Sequence, residues 1–354
     1  MRSFWLLLVL CVMVSGCTTL GPAAIQGSRT DYNIAMRQTD DEQLLLNLVR
    51  LRYRDRVLFL EPNALSTQFK FRTSASAAAT FDDGDTRYGL NGAVAVEETP
   101  TVTYTPLQGG DYVTRMLSPI KLETLFLLNS SGWSGERVFR TLVDQMNGVK
   151  NAPGANGPTP EKEPEFRNFL RLAKLLRALE LKHMVQGART EKGLVLVFSK
   201  KARSLPEYIE FINILDLDPD VGTYLVTSNV AFMDRSTDSV NISFRSFLGV
   251  MFFLSQSVEV PERDVAAGRV TVTRDPSGQV FDWSEVTGGL MRIQSSDKRP
   301  DNAAVSVSYR GSWFYVDDSD LNSKSTFTMI GQVLALQAGD VKRVVPVLTL
   351  PVGG

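Results

Sequence analysis

Few side chains in this chain can do chemistry. Its 354 residues include two cysteines, Cys11 and Cys17, and one histidine, His183. A Ser-His-acid hydrolase would have to use His183, and no Gly-x-Ser-x-Gly elbow accompanies it. Beside Lys182, at the end of a helix-patterned stretch, it reads as a cation complementing a helix C-terminus. The His and Cys count excludes a zinc site built from those residues. No Walker loop or dinucleotide glycine fingerprint occurs, and no cofactor is expected. Two acidic clusters remain, Asp216 with Asp218 and Asp220, and Asp317 with Asp318 and Asp320. Calcium takes several oxygen ligands, but neither cluster has the EF-hand glycine and terminal glutamate. The first therefore reads as a turn and the second as helix N-capping, with Asp317, Asp318 and Asp320 as weak metal candidates. Arg50, Arg52 and Arg54, followed by Arg56, crowd the end of another helical stretch. Cations there complement the helix terminus; the sharper alternative is contact with an anion or a lipid headgroup.

Lys and Arg number 38 and Asp and Glu 39, for a net charge of -1, which gives a nucleic-acid partner no global electrostatic support. Both cysteines fall in the first seventeen residues, where Met1-Arg2 is a short positive start, Phe4 to Val14 an apolar run, and Val14-Ser15-Gly16-Cys17 a small-residue ending. The run is too short for a spanning helix, which needs about 20 apolar residues, and has the layout of a signal peptide. Residues 14–17 resemble the bacterial lipobox. That resemblance implies cleavage after residue 16 and a lipid on Cys17, and Thr18 in place of Asp implies the outer membrane. The domain plan is then a signal at 1–16, a lipidated tether at 17–30, an N-terminal region at 31–150, an exposed linker or long loop at 151–163, and a body at 164–354.

The elements that would position these residues mix without a βαβ beat, which predicts an α+β fold with mainly antiparallel strands. Thr39-Asp40-Asp41-Glu42 reads as a capping box opening a helix with an apolar stripe at Leu44, Leu45, Leu48, Val49 and Leu51. Ser118-Pro119 reads as a helix N-cap with an N1 proline, Ser134 as the next cap, and Asn147-Gly148 as the stop of that second helix. The pattern predicts an amphipathic helix over 166–184, a hairpin over 185–199 and a helix opened by Ser204 and Glu207. It predicts strands at 224–229, 240–244, 270–273, 290–293 and 305–316, and a buried helix at 247–254. A helix at 323–337 ended by Gly339 and a strand at 344–350 complete it. Glu42 to Tyr53 and Trp313 to Asp318 are similar to stretches of uncharacterised bacterial envelope lipoproteins, a resemblance that implies an envelope setting and no activity.

Residues 67–105 carry the boldest pattern. Phe69, Phe71, Thr73, Ala75, Ala77, Ala79 and Phe81 alternate with Gln68, Lys70, Arg72, Ser74, Ser76, Ala78 and Thr80, a period of two that predicts a long strand. Asp82 to Asp85 reads as a turn, and Tyr88, Leu90, Gly92, Val94 and Val96 return as a second apolar face. The arrangement resembles lipoprotein secretion channels such as the curli exporter, in which each subunit adds hairpins to a shared barrel. One amphipathic hairpin lying over a soluble core is the alternative. The function expected is a non-catalytic outer-membrane structural or assembly component, held to the membrane by Cys17, with envelope proteins or copies of itself as partners. A periplasm-facing binding or wall-active module using the acidic clusters is the other reading.

Overall fold

The computed structural model describes residues 20–82, 85–158, 160–228 and 236–338, with side chains described outside 20–28 and 63–100. The fold is mixed α+β with mainly antiparallel sheets, as the sequence pattern predicts. The described residues form two compact units: one runs through Val57 and resumes at Val113, and the other is Leu58–Tyr112. No helix among the described residues is long and apolar enough to cross a membrane.

Helix α1 is Leu20–Arg52. It overlaps the predicted tether and starts well before Thr39, because little in residues 20–38 stops a helix. Pro22 falls in the first turn, where its missing N–H goes unused, and the glycines only weaken the helix. Thr39 is thus interior, not a cap; its Oγ1 donates to the Met36 carbonyl at 2.9 Å. Glu42 accepts from Gln38 Nε2 at 2.9 Å. The predicted stripe does its work further on: Leu44, Leu45, Leu48, Val49 and Leu51 are buried, and the helix packs on Phe247–Ser255 and Ala303–Tyr309.

The second unit is built on β1 (Leu60–Asp82) and β2 (Asp85–Pro106), an antiparallel pair with no third strand in its sheet among the described residues. Phe59 accepts from the Leu107 amide at 2.9 Å, continuing the pairing past the strand bases.

In the first unit the chain resumes as a π-helical turn, Val113–Leu117. Ser118 closes that turn, its amide bonding the Val113 carbonyl, and Pro119 bridges to Ser246, so neither opens a helix. Helix α2 (Leu122–Ser130) starts after Lys121 instead, burying Leu122, Leu125 and Leu128. Helix α3 (Gly135–Leu142) passes directly into β3 (Val143–Met146), which turns into β4 (Val149–Lys150). Asn147-Gly148 is therefore a hairpin turn and not a helix stop. Both residues have positive φ, 45° and 81°, which a two-residue turn matched to strand twist requires.

Residues 151–158 and 160–163 are a loop with one 3-10 turn at Pro153–Asn156, and its start is interior. Asn151, Ala152 and Ala155 are buried, and Asn151 Nδ2 donates to the carbonyls of Arg140 and Val143 at 3.0 and 2.7 Å. Arg245 holds the same loop. Its fully buried guanidinium donates to the carbonyls of Thr141, Val143 and Asn151 and to Asn156 Oδ1, and it stacks 4.0 Å from the Phe253 ring centroid. Burial pushes its pKa down to about 9, while Asp144 pulls the other way. Composition signalled the loop; the carbonyl cage around a distant arginine decided its burial.

Helix α4 (Arg167–Leu181) leads to β5 (Val185–Thr190) and β6 (Gly193–Phe198), the hairpin predicted over 185–199, which turns at residues 191–192. Helix α5 (Pro206–Leu215) starts after Leu205, and Ser204 is spent on a preceding 3-10 turn, where its Oγ donates to the Lys201 carbonyl. Strands β7 (Thr223–Thr227) and β8 (Ser239–Phe244) complete a six-stranded sheet ordered β4-β3-β8-β7-β6-β5, in which only β7 and β8 run parallel. Ser246 caps the buried helix α6 (Phe247–Ser255) by accepting from the Gly249 amide. Residues 270–273 and 290–293 are irregular chain and not strands; Val270, Thr273, Leu290, Met291 and Ile293 are buried while Arg292 is exposed, and β9 (Gln294–Ser296) begins just after the second. The run 305–316 breaks at Arg310-Gly311, both at positive φ, into β10 (Ala303–Tyr309) and β11 (Ser312–Asp317). Helix α7 (Leu321–Gln337) follows. Gly339 and the predicted strand 344–350 lie outside the described residues.

Candidate functional site

The titratable candidates are dispersed. His183 is exposed at φ 55° just past α4, its amide bonding the Glu180 carbonyl and that of Met184 bonding Leu179, so it ends the helix as a left-handed residue. Asp216 ends α5 in the same conformation, and Asp218 Oδ1 accepts from the Asp220 amide in a local turn. Of the second cluster only Asp320 caps a helix, its two oxygens accepting from Ser323 N and Oγ at 3.0 and 2.6 Å. Asp317 turns onto Ser319 and Asp318 pairs with Lys324 at 2.5 Å. Among the described residues no group of three or more His, Cys, Asp and Glu stands together as a metal site.

The three arginines also diverge. Arg50 donates to Asn47 Oδ1 at 3.2 Å, Arg52 is buried on the Thr271 carbonyl at 3.1 Å, and Arg54 is the left-handed residue that ends α1. Beside them Tyr53 Oη donates to the buried Asp264 at 2.6 Å, and Arg269 reaches the same carboxylate at 2.5 Å. Burial alone would raise the Asp264 pKa, but the bonds from Tyr53 and Arg269 and the charges of Arg269 and Arg263 hold it below the usual carboxylate value. Arg310 lies 5.3 Å from the Tyr53 ring centroid and pairs with Asp55 at 2.9 Å. These contacts fix the end of α1 to β10 and β11. The sequence offered no sign of this cluster, because Tyr53 and Asp55 lie more than two hundred residues from Asp264 and Arg310.

Two features bring candidate residues together. The first is the β1–β2 register, which pairs Phe71 with Val96, Thr73 with Val94, Ala75 with Gly92, Ala77 with Leu90, Ala79 with Tyr88 and Phe81 with Thr86. Directly paired positions share a face. The two apolar series read from the sequence, including Phe71, Ala75, Phe81, Tyr88, Leu90 and Val94, thus fall on one face, and Phe69 opposite Glu98 continues it toward the base. Lys70 opposite Glu97, Ser74 opposite Ala93, Ser76 opposite Asn91 and Thr80 opposite Arg87 occupy the other. Residues 83–84, the centre of the turn, lie outside the described residues.

The second feature is a cavity of about 290 Å³ between the six-stranded sheet and α2, α3, α4 and α5. Alternate positions of paired strands, among them Val185, Gly187, Leu196, Val226, Val240 and Ile242, line one wall. Leu125 and Phe126 of α2, Phe139 of α3, Leu176 of α4 and Phe211 of α5 line the other. Asn129, Arg177, Glu180 and Gln186 bring polar side chains to it, with Trp133, whose indole N–H donates to Gln332 Oε1 at 2.9 Å. Glu180 Oε2 accepts from the first α3 amide, Gly135, at 3.3 Å, and so serves the helix end that Ser134 was expected to cap; the Ser134 side chain makes no capping bond. A Cβ on Gly135 would stand 2.1 Å from Glu180 Oε1, so the approach needs glycine. A wider cleft of about 620 Å³ runs past Glu259, Asp282, Arg292 and Asp320. Its charged groups are engaged locally: Arg292 pairs with Glu259 at 3.6 Å, Asp282 accepts from Ser284 N and Asp320 caps α7. Gln256, also on its lining, keeps a buried Oε1 without a partner among the described residues.

No family model, no curated protein and no solved structure matches this chain. Residues 1–19, Cys17 among them, lie outside the described residues.

Proposed function

We propose that this protein is an outer-membrane lipoprotein, held by a lipid on Cys17, whose copies assemble by adding their β1–β2 hairpins to a common membrane barrel. One observation carries the reading: two strands of 23 and 22 residues are paired with each other and belong to a sheet of two. An isolated two-stranded ribbon is marginal in water, and two outer edges of this length invite further strands. Dimensions support the bilayer as the setting. At ~3.3 Å per residue, positions 71–81 cover roughly 33 Å of strand, and a ~45° tilt makes that an apolar band about 24 Å tall, close to the ~25 Å of membrane barrels. Aromatic residues, Phe69 and Phe71 at one end and Phe81 and Tyr88 at the other, stand where barrels place their girdles. The polar face, with Arg72, Ser76, Asn91 and Arg87, would line the lumen.

Single cysteines test it in intact membranes. Ser76→Cys is expected to react with a water-borne thiol reagent and Ala75→Cys to be shielded until the membrane is dissolved. The natural Cys17 gives no background if its sulfur carries lipid. Equal reaction of both variants in intact membranes would overturn insertion.

A further inference from the structure

The cavity under the six-stranded sheet belongs to the body and not to the hairpin, and the proposed assembly makes no use of it. Its walls are contributed by both layers and are apolar in depth, so water inside would find few hydrogen-bond partners; roomy apolar cavities of this kind stay dry or take an apolar guest. A cavity of ~150 Å³ takes a benzene ring. The volume of about 290 Å³ here is nearly twice that. Leu196 is only half-buried although Val226 and Val240 beside it on the sheet are buried, which marks the open end.

The polar groups at the cavity decide what kind of guest fits. Glu180 already holds three donors: Oε1 accepts from Asn129 Nδ2 at 3.3 Å, and Oε2 accepts from Gly135 N at 3.3 Å and from Arg177 Nη1 at 3.2 Å. Arg177 is not. Its side chain is 37% exposed and makes that one bond, leaving Nε and Nη2 without a partner among the described residues. The site thus offers unused N–H donors on the Arg177 cation beside a carboxylate that already holds three donors, which favours an anionic head over a cationic one.

We propose that this cavity binds the hydrocarbon tail of a fatty acid, a single-chain carboxylate with on the order of ten carbons buried, and that Arg177 receives its carboxylate. Gly187 serves the same site. A Cβ there would stand 2.4 Å from Phe126 Cε1, so glycine lets the Phe126 ring lie against β5 as part of the wall. Each methylene of tail that enters should tighten binding about fourfold, until the cavity is full.

The test uses the full-length protein in its native membranes and dodecanoate carrying a diazirine at the tail end. Photolysis is expected to place the label on residues of the cavity, such as Phe211, Val240 and Ile242. Excess dodecanoate should abolish labelling, and dodecylamine at the same concentration should not. Leu196→Trp fills the open end and should remove labelling with the melting temperature unchanged or raised. Arg177→Gln, a substitution at a part-exposed position that leaves the apolar walls intact, should weaken labelling about tenfold or more. Label scattered over the surface, equal competition by the amine, or unchanged labelling of Arg177→Gln would overturn the proposal.

Discussion

Asp264 shows how much of this molecule depends on single buried polar groups. Its carboxylate has no solvent exposure and lies between a tyrosine hydroxyl and an arginine at the end of α1. Because its pKa is lowered in the folded state, its contribution to stability is complete above the unfolded value of about 3.9 and is lost as the pH falls through the folded value. Asp264→Asn keeps an acceptor for Tyr53 but removes the charge facing Arg269. It is expected to cost about 1–3 kcal/mol at neutral pH. Urea titrations at stepped pH should show the difference from wild type shrinking below about pH 4; a difference constant from pH 3 to 7 would remove the ionised carboxylate from the account. Arg245 belongs to the same class of residue. Its planar fork serves several carbonyls and Asn156, a task that a lysine ammonium with three donors cannot copy.

Among elements, the helix ends separate signals that look alike in a sequence. Thr39 with Glu42 and Asp320 with Ser323 both have capping spacing or composition, yet Thr39 lies inside α1 and Asp320 caps α7. Asp320→Ala is expected to destabilise the protein by about 1 kcal/mol. Thr39→Ala should be neutral or slightly stabilising, since alanine is the better helix former. Equal losses in chemical denaturation would place a helix start at Thr39 after all. The turn at Asn147-Gly148 teaches the same point: an Asn-Gly pair ends helices and makes hairpins, and the strand that precedes it, paired with β8, selects the hairpin.

At the scale of the whole molecule, the two units predict separability. Leu60 pairs with Pro106 at the hairpin base, so replacing residues 61–105 by a two-residue Gly-containing turn rejoins neighbouring strand ends. The shortened protein is expected to melt within about 2 °C of the full chain, an effect below ~1 kcal/mol for a body of this size. It should remain membrane-bound through Cys17 and lose crosslinking between copies. A body that unfolds without the hairpin, or one that still assembles, would sink the division of labour between body and hairpin.

The sequence by itself determined the class of fold, the apolar stripe that docks α1, the 185–198 hairpin and the buried helix α6. Each of these is set by local periodicity, in which burial of one face repeats every two or 3.6 residues. It also supplied the two alternating faces of the long hairpin and the lipobox-like pattern of residues 14–17. Tertiary structure alone decided where helices begin and which asparagine turns a strand. It decided too that residues 151–156 lie inside, that Tyr53 meets Asp264 and that Arg177 stands at an apolar cavity. For the buried polar groups the deciding partner lies far along the chain, as Arg245 does from Asn151 and Glu180 from Gly135. A buried polar group takes its place from the donor or acceptor that satisfies it, and sequence spacing holds no record of that partner.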